Sequence, residues 1–304
     1  MSRRGFLGYS VPGCSMLACS GARSLLAAKT HITKARISAI TDEIGRTQSD
    51  AIAFAKQNGL EWVELRSVPE SGKEFASLPE PELKQYASEL AAAGLKVSLL
   101  KTSLLKFPWP ELSPGPGSEA NTARWNRRKD DLARSITAAR ILGTDKIRIF
   151  TGARAVSPEA ASPAIARVME EFVPVAEAAR VRLLIENEPT QNVGTCAELK
   201  AILDLVPSKS LGFNWDPQNT LALHETAWPE GYALLPKARM WNMQIKAEGL
   251  ADGPRQINWR KLLNAVQKDG YGGEISLATE IFNGTFEKAS DGVREIQHIV
   301  GELD

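Results

Sequence analysis

Short apolar runs begin near residues 37, 61, 96, 146, 183, 211, 240 and 274, each wide enough for one buried strand. Between them, apolar residues return every three or four positions, the spacing of a helix with one buried face. Over 79–94 the stripe is Leu83, Tyr86, Leu90 and Ala93; after Asn121 it is Leu132, Ile136 and Ala139. Asn121 reads as the cap of one long helix closed by Gly143, and Ser162 or a neighbour as the start of a helix running to Arg180. Further helices are predicted over 49–59, 197–205, 259–270 and 286–303. Eight strands, each followed by a helical segment, predict the α/β class and a (β/α)8 TIM barrel. The rival, a doubly wound open sheet, wants a glycine-rich phosphate turn after its first strand, and Asp42-Glu43-Ile44-Gly45 is not one.

Two long connections interrupt the rhythm. Residues 104–117 carry Lys106, Phe107 and Trp109 before a Pro/Gly/Ser-rich run, and read either as a lid or as a plain connection. The stretch past Asn219 holds His224, Trp228 and Tyr232. No repeat, low-complexity block or interdomain linker divides the chain.

The apolar runs end in polar residues, where parallel strands reach the rim of a barrel and ligand chemistry is usually found. Leu183-Leu184-Ile185 ends in Glu186-Asn187-Glu188-Pro189, and Leu211-Gly212-Phe213 in Asn214-Trp215-Asp216-Pro217-Gln218-Asn219. Barrel closure would bring these together with Glu43, Glu64, Arg66 and Lys106 from the first half. Gln244, Lys246 and Glu280 would join them from the second. Carboxylates gathered without a cation raise one another's pKa, and a divalent ion would relieve that. An all-oxygen set of Glu186, Asp216, Gln244 and Glu280 would favour Mn²⁺ or Mg²⁺ over Zn²⁺. Glu64, Arg66, Lys106, Glu188 and Asn219 are then the candidate substrate-binding residues, and Trp109, Trp215, Trp228 and Trp241 candidate aromatic walls of the site.

Composition narrows the partners. The chain opens Met1-Ser2-Arg3-Arg4-Gly5-Phe6-Leu7-Gly8, followed by a broken apolar stretch up to Leu25-Leu26-Ala27-Ala28. That order resembles a twin-arginine export signal, so 1–28 is set apart as a leader, 29–304 as the barrel, and the expected location is the periplasm. Met16-Leu17-Ala18-Cys19 also permits a lipoprotein cleavage box, a lipid anchor being the one membrane attachment expected. Of the 37 basic residues only Arg3, Arg4 and Arg23 lie in the leader, and none of the 36 acidic ones do. A remainder so close to neutral lacks the footprint of a nucleic-acid binder. Cys14, Cys19 and Cys196 leave no intramolecular disulfide once a leader is removed.

Four segments carry a family resemblance: Gly59-Leu60-Glu61-Trp62-Val63-Glu64-Leu65-Arg66, Ile185-Glu186-Asn187-Glu188-Pro189, Asn214-Trp215-Asp216-Pro217-Gln218-Asn219 and Gly270-Tyr271-Gly272-Gly273-Glu274-Ile275-Ser276-Leu277. In this order they resemble the sugar isomerase/epimerase superfamily of xylose isomerase-like barrels. The resemblance implies a metal held by Glu, Asp, His and Glu, with the glutamates moving protons beside a sugar carbonyl. Glu186 and Asp216 fall on the first two positions. Gln244 stands where the family has histidine and Ala278 where it has glutamate, with Glu280 two residues on, on the same strand face.

The expected activity is isomerisation or epimerisation of a small carbohydrate by metal-assisted proton abstraction, with Glu186, Glu280 and Lys246 as catalytic residues. The same abstraction could eliminate a leaving group from a keto-glycoside. The alternative is an exported, non-catalytic carbohydrate-binding protein with a degenerate metal site. A DNA-repair nuclease on this barrel would need a histidine-rich zinc site and a basic groove, and the chain has three histidines.

Overall fold

The computed structural model of the chain describes residues 32–112, 119–246, 257–279 and 286–303. Eight parallel strands close into a barrel in chain order. They are β1 (Ile37–Ile40), β2 (Trp62–Leu65), β3 (Lys96–Lys101), β4 (Lys146–Ile149), β5 (Arg182–Glu186), β6 (Leu211–Trp215), β7 (Met240–Lys246) and β8 (Glu274–Ala278). Pairing of Ile37 with Ile275 and Ala39 with Leu277 joins the first strand to the last, so no sheet edge is left open.

Strand period and barrel curvature divide the strand residues into two sets. Outward residues such as Val63, Leu65, Ile147, Ile149, Leu183 and Ile185 join the buried faces of the helices in one continuous core. Each such side chain contributes about 1.5–3 kcal/mol on burial. The inward set alternates with them. Ile40, Leu99 and Leu184 are buried without belonging to that outer core. In phase with them run Glu64, Lys101, Arg148, Glu186, Asn214, Asn242 and Gln244, all buried. The barrel axis is therefore polar, which is affordable only if its charges are paired.

The helices follow the sequence reading with two differences. The predicted long helix is two, Glu119–Asn126 and Arg128–Leu142, broken at Arg127. Asn121 lies inside the first rather than capping it, while Gly143 ends the second in the left-handed conformation, φ 79°. The helix expected from Ser162 starts a turn earlier, at Pro158, where a missing N–H costs nothing. Glu225 accepts the N–H groups of Cys196 and Ala197 at the start of Cys196–Leu205. Cys196 itself is buried and forms no disulfide among the described residues.

The first half of the proposed lid is fixed rather than free. Leu105, Phe107 and Trp109 are buried, and the Trp109 indole lies against Gly152. The remainder, 113–118, lies outside the described residues.

Candidate active site

A cleft of about 410 Å³ opens at the C-terminal ends of the strands. Glu43 and Arg66 form its wall on the β1–β2 side, Lys106, Glu188, Asn219 and Lys246 its rim, and Lys101, Arg148, Glu186 and Gln244 its floor. A cavity of about 580 Å³ sits at the opposite end, around the Lys146–Glu274 ion pair. Ligand chemistry in this architecture belongs to the C-terminal face, where the strand ends carry functional groups.

The floor is organised by two cations that the sequence reading passed over. Lys101, 1% exposed, projects from β3 into the axis. Its ammonium donates to Gln244 Oε1 and lies 3.2 Å from Glu64 and 3.5 Å from Glu186. Arg148, from β4, reaches the same Glu186 at 3.3 Å and donates to the Thr102 carbonyl through Nε and Nη2. Asn214 Nδ2 completes the shell of Glu186 at 2.6 Å. Burial alone would raise the pKa of this carboxyl, but Arg148, Lys101 and Lys106, with the Asn214 hydrogen bond, hold it down to about 2.

Asp216 experiences the reverse balance. It is fully buried, and desolvation pushes it up to about 7 against the pull of Lys246, with Glu186 adding to the rise. One oxygen caps the helical turn Pro217–Leu221 by accepting from the N–H groups of Gln218 and Asn219. The other accepts from Gln244 Nε2 at 3.3 Å and lies 3.9 Å from Lys246 Nζ. Asn187 clips the adjoining backbone, accepting from Asp216 N–H and donating to its carbonyl, both at 2.8 Å.

Sequence-selected residues thus occupy different depths. Glu186, Asp216, Gln244 and Lys246 converge as expected. Lys246 donates to Asn219 Oδ1 at 2.8 Å, and Lys106 pairs with Glu188 at 2.6 Å on the rim. Arg66 is clamped at 2.9 Å by both Asp42 and Glu43, so burial, which alone would lower its pKa, is outweighed and the value rises. Glu64 is placed differently from expectation: with no exposed surface it pairs with Lys101 and accepts from Asn242 at 2.7 Å below the floor, beyond direct substrate contact. Glu280 lies outside the described residues. None of the four tryptophans lines the cleft. Trp109 and Trp215 are fully buried, Trp228 packs on Tyr232, and Trp241 lines the opposite cavity. His224 is exposed on its loop.

A divalent ion would need several free oxygen donors here. Among the described residues no three His, Cys, Asp or Glu side chains are grouped to hold one. Of the four oxygen donors expected to do so, Glu280 lies outside the described residues and the other three already have partners: Glu186 has two cations and an amide, the Gln244 carbonyl has Lys101, and Asp216 has two backbone N–H groups and the Gln244 amide. As arranged, they do not fit a metal.

Lys101 and Arg148 were detectable in principle. Lys101 is two residues from Leu99, and Arg148 stands between Lys146 and Phe150 at the same spacing, so each shares a strand face with inward residues. A lone basic residue in an apolar strand reads as a rim charge unless the barrel interior is already known to be polar.

Solved structures share this architecture at low identity. An L-ribulose 3-epimerase is 17% identical, with 88% of this chain and 95% of that one covered and a TM-score of 0.65. A 3-keto-D-glucoside 4-epimerase from E. coli is 12% identical over 87% and 98% of the two chains, at 0.64. A xylose isomerase-like barrel protein from Mycobacterium smegmatis, in complex with magnesium, is 16% identical over 88% and 98%, at 0.66. No curated protein matches the chain by sequence. The family model of xylose isomerase-like TIM barrels matches residues 52–299, and the chain belongs to that family.

Proposed function

We propose that the protein is a carbohydrate-modifying enzyme that takes a proton from the carbon next to a carbonyl, in the manner of sugar isomerases and epimerases. The observation that carries this reading is the ring of cations, Lys101, Lys106, Arg148 and Lys246, around one polar cleft at the C-terminal strand ends. An enediolate formed in that cleft would meet positive charge already in place, the preorganised stabilisation that lowers such barriers. Membership of the family and the epimerase activities named for two similar structures support the substrate class.

The roles follow from the electrostatics. Glu186, held near 2, is a weak proton acceptor and serves as the fixed anion that positions Lys101 and Arg148. Lys246 lines the cleft beside Asp216, whose value of about 7 suits proton exchange at neutral pH. We assign Lys246 to the developing oxyanion, Asp216 to the proton balance behind it, and Glu280, which lies outside the described residues, to accepting the proton from carbon and returning it. Glu188, Lys106 and Asn219 on the rim are assigned to sugar hydroxyls. Elimination from a keto-glycoside would begin with the same abstraction. Export through the twin-arginine segment would present the enzyme with glycosides rather than phosphosugars.

A specific observation favours a second reading, a carbohydrate-binding protein without turnover: the cleft carboxylates Glu43, Glu186 and Glu188 are each in an ion pair. Solvent deuterium separates the two. Proton NMR of ketoses and 3-keto-glycosides in D₂O should show loss of the signal next to the carbonyl with the protein present. Saturable sugar binding without exchange would favour the second reading, and neither binding nor exchange would remove carbohydrate from the account.

A further inference from the structure

We propose that the Lys101 ammonium, backed by the Arg148 guanidinium, occupies the cation position of this barrel, so that the site takes no divalent metal. Three oxygen donors from three strands surround that ammonium: Glu64 of β2 at 3.2 Å, Glu186 of β5 at 3.5 Å and the Gln244 carbonyl of β7. An oxygen cage drawn from separated strands is what a hard cation requires, and here a covalently tethered one fills it. Lys101 is 1% exposed, so its charge is neither shared with solvent nor screened by it.

The orientation of Gln244 supplies an independent argument. Its carbonyl oxygen faces Lys101 and its Nε2 donates to Asp216. A metal bridging Glu186, Gln244 and Asp216 would need that oxygen for itself, which turns the amide away from both partners. It would also stand a few ångströms from two fixed positive groups, at a distance where like charges in a dry site repel strongly. Asn214, donating to Glu186 at 2.6 Å, occupies a further lone pair of the carboxylate.

Occupation of the cation position stands on this geometry alone; that the same charge also serves the reaction rests on the function proposed above. The test therefore reads metal binding and not turnover, so an inactive protein can still decide it. Purified protein would be stripped with a chelator and titrated calorimetrically with Mn²⁺, Mg²⁺ and Zn²⁺, with thermal unfolding followed in parallel. The wild type is expected to show no saturable binding up to about 1 mM, the weak end of biological oxygen sites, and no change in Tm with chelator or metal. Lys101→Met, which removes the charge and keeps the chain length, is expected to melt at a lower temperature and to recover part of the loss when Mn²⁺ is added.

One equivalent of Mn²⁺ on the wild type, lost in Glu186→Gln, would overturn the proposal. So would a folded Lys101→Met protein that is indifferent to Mn²⁺. Should Lys101→Met fail to fold, the wild-type titration decides the question unaided.

Discussion

Glu186 and Asp216 end adjacent strands, yet their surroundings drive them in opposite directions. The Asp216 carboxyl releases its proton near 3.9 when unfolded and near 7 when folded, so in that window the native state holds the extra proton. Its contribution is favourable at low pH and is lost as pH rises through about 7. Glu186, lowered to about 2, contributes stability above the ordinary carboxylate value of about 4.3 that is lost as pH falls toward the folded one. Urea unfolding of Asp216→Asn at about pH 5 and about pH 8 should therefore show a smaller fall in stability than the wild type over the same interval. An equal fall would mean that Asp216 is ionised throughout. Glu186→Gln strands the buried Arg148 guanidinium and leaves Lys101 with Glu64 as its carboxylate partner, and is expected to cost about 3–5 kcal/mol. A loss below about 1 kcal/mol in the same urea assay would show that Arg148 finds another partner.

At the scale of elements, the strands and the positions of Glu186 and Asp216 were legible because each ends an apolar run at the rim where a parallel barrel carries its functional groups. Lys101 and Arg148 were not, because their importance depends on which strand face is inward, and an apolar run buried on both faces conceals that phase. The break at Arg127 was equally hidden, since apolar spacing passes through it unchanged. Glycine carries one element-level prediction. Gly152, at φ +80°, lies in the connection after β4, and an added Cβ would stand 2.9 Å from the Trp109 indole. Gly152→Ala is expected to cost about 1–3 kcal/mol through backbone strain and overpacking. It should also displace Trp109 from its buried site, visible as a red shift in tryptophan emission. An unchanged emission spectrum together with unchanged stability would show that the 104–112 segment does not depend on this contact.

At the scale of the whole molecule, closure of the barrel turns residues far apart in sequence into two sets of ion pairs along its axis. Lys146 with Glu274 fills the N-terminal end, and Lys101, Arg148, Glu64 and Glu186 fill the middle. The cleft sits above them, with Lys246 and Lys106 at its edge. The same ion pairs that make a polar interior tolerable also supply the positive potential proposed to receive a sugar enediolate. The measurement that tests this most directly is solvent deuterium uptake at the carbon next to the carbonyl of a bound keto-sugar, followed by NMR in excess chelator. The account expects exchange that persists with chelator present and falls at least about 100-fold in Lys246→Met, the size of effect seen when one oxyanion partner is removed. Exchange abolished by the chelator, or binding without exchange, would contradict it.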